Sequence, residues 1–326
     1  MNELISKNRT AIMGICMGII MLYHSKGAKF IPCPCLMALG VDIFLFLSGF
    51  GLYFALEKIK QTGGGLYHFY KRRFQRIMPA AIISGILLKW SFQFNSIYDI
   101  LNFTGLGLWY IRSLLILYLL SPFIYKLISR AGRKDLLLMM CICFLGVTIA
   151  HMILGSIFSL ESMTLTWTIA RTPSFLIGMF MAKQEYPLVS LSKLSKTCRI
   201  AKVLACLLTI FLMASYSYAP LPQPWKGYAL FFGWMSFSIW IPEACRCIIR
   251  LHQHLPRKVQ KLAHWMGIAS LELYVCHEAI YTLVYKNLKI QCIGQGNHFI
   301  QFICMIALSF SAAYVLKKIC NRIFTP

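Results

Sequence analysis

Apolar stretches long enough to cross a bilayer recur along this chain, and the connections between them alternate between strongly basic and nearly uncharged. In lipid a run of about 20 apolar residues must satisfy its backbone polar groups internally, which confines such a chain to a bundle of membrane helices. Ten segments are legible, near 10–25, 38–56, 77–95, 105–125, 136–154, 163–182, 203–219, 227–245, 264–285 and 299–316. The expected fold class is therefore all-α, a polytopic protein with about ten transmembrane helices. Composition agrees, at 58% hydrophobic and 13% charged with mean hydropathy +0.65, more apolar side chain than a soluble protein of this length could bury.

The formal charge of +23 has a location. Lys7 and Arg9 precede segment one. Lys71, Arg72, Arg73 and Arg76 lie between segments two and three. Further basic groups lie between four and five, six and seven, and eight and nine, and Lys317, Lys318 and Arg322 follow segment ten. Only Lys26, Lys29, Lys226, Lys286 and Lys289 occupy the alternate connections, and Lys89, Arg112 and Arg171 fall inside segments. This alternation predicts both termini in the cytosol and a multi-pass protein of the plasma (inner) membrane. The partner implied is the lipid bilayer, and a nucleic-acid role is excluded.

The first segment reads as an uncleaved span, because no small-residue cleavage site follows "LYHSKGAKF". Residues 1–326 read as a single membrane-embedded domain with no soluble domain, and "TGGGL" as a turn in the longest cytosolic connection, about 57–76. No internal repeat supports an inverted-repeat transporter plan. The 13 cysteines have no C-x-x-C spacing with zinc-like partners, so no metal is expected. They read as small core residues, with Cys33 or Cys35 the one outward place for a bridge.

Orientation gives each intramembrane polar residue a depth. His24 lies fifteen residues beyond Arg9, about 22 Å higher on a helix. Asp42 opens segment two from the same outer side, and Arg112 and Arg171 lie about a third of the way down segments four and six. His277 is near mid-depth in segment nine, with Glu272 about a turn below and Glu278 beside it. A charge in hydrocarbon costs about 2.5–3.5 kcal/mol on insertion scales, so such residues face a partner or a watery cavity. Several at similar depth point to one polar cavity open outward. Asp42 has two roles open to it, a structural pair with Arg112 or Arg171 and a catalytic one. Lys89 reads as snorkelling and His151 as a loop-edge histidine. Trp90, Trp109, Tyr110, Trp167 and Trp225 form either an interfacial aromatic belt or a platform for sugar rings.

On the inner side, "FYKRRFQRIMP" (69–79) sets Arg73 and Arg76 on one helix face, with Pro79 expected in the first turn of segment three. Arginine forks suit phosphate, whether of a nucleotide or of lipid headgroups; simple positive-inside charge is the other account.

"GVDIFLFLSGFGLYF", "FYKRRFQRIMP", "LWYIRSLLILYLLSP", "ARTPSFLIGMFMAK" and "SLELYVCHEAI" resemble, in this order and spacing, the integral-membrane acyltransferase 3 family, over nearly the whole chain. The resemblance implies a ten-span module that moves an acyl group, usually acetyl from coenzyme A, onto a hydroxyl of a saccharide or lipid-linked saccharide of the cell surface. By resemblance His24 matches the essential first-helix histidine, and Arg73 and Arg76 match the R-x-x-R cluster after helix two, with Arg72 beside them. The family commonly has a basic residue eleven positions before the histidine, where this chain has Met13. Either Arg9, one turn lower, substitutes or the donor site differs.

Acyl transfer needs a base, a stabilised oxyanion and a held thioester. His24 is the expected base and Asp42 the acid that orients it. Arg112, Arg171, His277, Trp109 and Tyr110 are the candidates for substrate or oxyanion contacts, and Arg72, Arg73 and Arg76 for the phosphates of acetyl-CoA. The pantetheine arm then threads up between helices, or a carrier such as Ser48 or His24 relays the acyl group. A transporter or flippase, and a non-catalytic family member, are the rival expectations.

Overall fold

The structure, a computed structural model, describes residues 2–24, 34–91, 109–154, 160–183, 196–222, 225–282 and 298–324. All regular elements among them are helical: α1 (Asn2–His24), a 3-10 turn (Pro34–Leu39), α2 (Gly40–Thr62), α3 (Leu66–Ser91), α4 (Trp109–Arg130), α5 (Arg133–Leu154), α6 (Leu160–Lys183), α7 (Lys196–Tyr218), α8 (Trp225–His254), α9 (Arg257–Ile268), α10 (Ser270–Thr282) and α11 (His298–Phe324). Five stretches among the described residues, Glu3–His24, Cys35–Thr62, Trp109–Arg130, Arg199–Tyr218 and Phe302–Arg322, are long and apolar enough to cross a membrane by length and composition. Large apolar side chains stand exposed on α5 (Leu137, Leu138, Ile142), α7 (Leu204, Leu207, Phe211) and α11 (Tyr314, Val315). Such a surface suits lipid rather than water.

Two close crossings set the frame. At the crossing of α2 with α6, a Cβ on Gly49 would lie 2.2 Å from the Phe175 carbonyl oxygen, and one on Gly178 would lie 2.1 Å from that of Phe46. At the crossing of α1 with α9, Gly14 meets Ala263 O and Gly267 meets Thr10 O, at 1.7 and 1.8 Å by the same measure. Small residues permit this backbone approach where hydrocarbon supplies no hydrophobic drive between helices. A polar seam joins α7 to α8: Lys202 and Arg246 each reach Glu243 at 2.6 Å, and Thr209 and Ser236 hydroxyls meet at 2.8 Å.

Three sequence expectations change. The basic cluster at 71–76 is not a connection: α3 begins at Leu66, and Pro79 sits well inside it rather than in the first turn. Only three residues separate α2 from α3, with Gly63 at φ 65° accepting the left-handed turn. Helical hydrogen bonding extends past the apolar run because polar first turns fold as readily as apolar ones once the helix is nucleated. Segment nine is two helices, α9 and α10, joined at Ala269. Amphipathic α9 keeps Lys261 and its other basic residues exposed while Gly267 seats against α1, so its axis cannot continue straight into buried α10. The expectations for Lys89, Trp90, His151 and Cys33 lie outside the described residues or side chains.

Candidate functional site

Two cavities occupy the middle of the bundle. The first, about 320 Å³, is lined by Tyr23 and His24 of α1, Cys35 and Ala38 of the 3-10 turn, Trp109 and Arg112 of α4, Trp167 and Arg171 of α6, Tyr216 of α7, Trp234 of α8, and Tyr274 and Glu278 of α10. The second, about 390 Å³, is lined by Arg9 and Met13 of α1, Phe44 and Ser48 of α2, Arg73 and Arg76 of α3, Tyr110 and Tyr118 of α4, Gly267 at the end of α9, and Ser270 and Tyr274 of α10. On α1 and α10 the lining residues fall in order, Arg9 and Met13 before Tyr23 and His24, and Ser270 before Glu278, while on α4 the two linings interleave near Trp109–Arg112 and then run down to Tyr118 in the second cavity. Arg9 and His24 stand about 22 Å apart along α1 at the helical rise. The cavities therefore lie one above the other, and Tyr274 belongs to the wall of both. Its ring packs on Tyr110 with centroids 4.8 Å apart, and both rings are buried.

The side-chain partners of Asp42 lie on α6 and do not include His24. Asp42 is fully buried and bonded across the α2–α6 crossing, where Arg171 Nη1 donates to Oδ2 at 2.6 Å and the Ser174 hydroxyl donates to Oδ1 at 3.3 Å. Of the two roles open to Asp42 in the sequence, its contacts are those of the structural pair with Arg171. The same Arg171 nitrogen donates to Ala38 O at 3.3 Å, and the guanidinium lies over the faces of Trp234 and Trp109, 3.9 and 4.8 Å from their centroids. Desolvated cation–π contacts of this kind are worth about 2 kcal/mol. Arg171 lines the His24 cavity with its charge matched by Asp42.

His24 instead faces a second imidazole. Its ring is 5.1 Å from that of His277 at 72°, and Tyr23 packs edge-on against it at 5.1 Å. His277 is completely buried and lines neither cavity; its Nδ1 bonds the carbonyls of Tyr274 and Leu273 at 2.7 and 3.1 Å. The indole rings of Trp109, Trp167 and Trp234 form a continuous wall, with centroid spacings of 5.0 and 5.4 Å. Tyr110, expected beside Trp109 on the outer side, faces the other cavity because adjacent helical residues diverge by about 100°. Trp225 is exposed at the start of α8, away from both cavities. The Cys35 thiol is reduced and donates to Met213 O at 3.0 Å, so it forms no bridge here.

At the other end Arg73 and Arg76 do converge, and Arg9 joins them. Arg73 lies over Phe69 and Tyr118. Arg76 stands 3.7 Å from the buried Glu272 and is itself half exposed. Arg72 is exposed and outside the cavity lining. The sequence reading missed Tyr23, Tyr216, Trp234 and Tyr274. Tyr274 carried a legible signal, one turn before His277 on the same helix face.

Among the described residues no cluster of His, Cys, Asp or Glu is fit to hold a metal ion. The arrangement is instead one cavity rich in guanidinium groups and aromatic hydroxyls, and another carrying an imidazole beside an indole wall. No curated protein and no solved structure matches the chain. A family model described as an acyltransferase domain matches residues 11–318. With that match running over essentially its whole length, on a bundle of apolar helices, the chain belongs to the acyltransferase 3 family of membrane acyltransferases.

Proposed function

We propose that the protein is a multi-pass O-acyltransferase of the cell membrane that moves an acyl group, most commonly acetyl, from coenzyme A to a hydroxyl of an exported or cell-surface saccharide. The observation that carries this reading is the stacking of the two cavities on one wall residue, Tyr274, with Arg9, Arg73 and Arg76 at one end and His24 at the other. The distribution of basic residues supports ten crossings with both termini in the cytosol, a topology in which the arginine cavity faces the cytosol.

In this mechanism the phosphates of coenzyme A bind the arginine cavity, where guanidinium forks suit them. Arg9 supplies the cation that the family places at the position of Met13; both residues line this cavity. The pantetheine arm passes Tyr274, so that the thioester carbonyl reaches the His24 cavity. The saccharide stacks on the Trp109, Trp167 and Trp234 wall. A ring nitrogen of His24 takes the hydroxyl proton as the oxygen attacks the thioester carbon. The tetrahedral intermediate collapses, the carbon–sulfur bond breaks, and the imidazolium returns its proton to the departing thiolate. Arg112 lines the same cavity as His24, and the oxyanion contact is assigned to it.

The test is transfer of radiolabelled acetyl from acetyl-CoA to saccharide acceptors in membranes containing the wild type or His24→Ala. A general base contributes about 10²–10⁴-fold, and the variant is expected to lose that much while still binding coenzyme A. Undiminished transfer by His24→Ala, or saccharide movement without acylation by the wild type, would overturn the reading.

A further inference from the structure

The tautomer of His277 can be read from its partners. Nδ1 faces two backbone carbonyl oxygens, Tyr274 O at 2.7 Å and Leu273 O at 3.1 Å. Carbonyls only accept, so Nδ1 carries the hydrogen and Nε2 is left as a bare lone pair. That Nε2 is buried and has no hydrogen-bond partner, a costly condition for an acceptor in an apolar bundle. The neighbouring imidazole is His24, with ring centroids 5.1 Å apart. Each ring nitrogen stands about 1.1 Å from its own centroid, so a His24 N–H and the His277 lone pair turned towards each other would lie about 2.9 Å apart, within hydrogen-bond range.

We propose that His277 is the positioning residue for His24: its backbone-locked Nε2 accepts the N–H of one His24 nitrogen and thereby leaves the other His24 nitrogen unprotonated towards the cavity. This takes the place of the carboxylate expected from Asp42, which is committed to Arg171. When His24 receives the saccharide proton it becomes an imidazolium with two N–H groups. One is the proton to be returned to the thiolate, and the other stays bonded to His277 Nε2. His277 neither gains nor loses a proton. The placement suits the task, because His277 is fully buried within α10 and lines neither cavity, so its ring is not competed for by water or substrate.

The proposal rests on His24 being the base, and the experiment separates the two ideas. Acetyl transfer is measured in membranes for His24→Ala, His277→Gln, His277→Asn and His277→Phe, each normalised to folded protein by size-exclusion profile. Glutamine places an oxygen acceptor near the Nε2 position. Asparagine retains only the Nδ1-like donor, and phenylalanine retains only the ring volume. The expected result is a kcat loss on the order of 10²–10⁴-fold for His277→Asn and His277→Phe, the range that a misoriented base costs, with KM for acetyl-CoA unchanged and substantial rescue in His277→Gln. Full activity in the Asn and Phe variants, with His24→Ala inactive, overturns the pairing alone. An equal loss in all three His277 variants makes it a packing residue and also overturns the pairing. An active His24→Ala overturns the base assignment itself.

Discussion

Replacing Asp42 tests whether its contact with Arg171 is architecture or chemistry. Both side chains are almost completely buried, at 0% and 2% exposure, and the closest N–O approach is 2.6 Å. Breaking such a pair from one side strands the other charge and costs about 3–5 kcal/mol. An asparagine oxygen can still accept from Arg171, and a hydrogen bond to a charged group is worth about 1.5–3 kcal/mol, so Asp42→Asn belongs at the low end and Asp42→Leu at the high end. Removing both charges is different. Asp42→Leu with Arg171→Met trades the pair for apolar volume, and such exchanges are commonly neutral or stabilising. The double variant should therefore recover most of the loss of either single, with a coupling of at least about 2 kcal/mol, within the range seen for contacting residues. Unfolding titrations of the purified protein in mixed micelles read all four species. A cost below about 1 kcal/mol for Asp42→Leu, or a double variant no more stable than the worse single, would refute the reasoning. If transfer activity then collapsed in a stable Asp42→Asn protein, the carboxylate would have a chemical role that its contacts do not display.

Gly178→Ala places a methyl against the Phe46 carbonyl at 2.1 Å, where backbone and not a flexible side chain must yield. The expected loss is at least the 1–3 kcal/mol typical of overpacking, read as a lower unfolding midpoint in the same titration. Arg9→Gln should raise KM for acetyl-CoA about 10-fold or more while leaving kcat nearly unchanged, since it removes a charged contact to phosphate and not to the reacting atoms; a fall in kcat alone would place Arg9 elsewhere in the reaction. Tyr274→Phe should keep transfer, because the ring and not the hydroxyl closes the space against Tyr110. Tyr274→Ala should raise hydrolysis of acetyl-CoA relative to transfer by admitting water to the thioester, and equal ratios in the two variants would contradict that role.

The apolar segments and the basic clusters were legible because both follow from local composition. That is why α5 and α6 lie close to where the hydropathy places them, and why Arg73 and Arg76 could be grouped from an i, i+3 spacing. What could not be read is what the packing decides. Asp42 and Arg171 are 129 positions apart, and nothing local tells Asp42 to face α6 rather than His24; Gly49 and Gly178 set that rotation by bringing the two backbones together. Trp234 was overlooked because depth along one segment does not say which way an indole points, and it is stacking on Arg171 that marks it. For the same reason Tyr110, expected on the outer side beside Trp109, lines the other cavity. The start of α3 was not legible because hydropathy marks only the apolar part of a helix, and this helix begins with charged turns.

The contact between the Tyr110 and Tyr274 rings has an implication for the cell as a whole. A catalyst that passes material from one face of a membrane to the other risks becoming a leak. With about 2.3 kcal/mol available per elementary charge at 100 mV, an open aqueous thread through the bundle would drain the ion gradients that energise the cell. In the proposed mechanism two buried aromatic rings, in tilted contact where one chamber ends and the next begins, would act as an electrical seal that need part only for the width of the pantetheine arm.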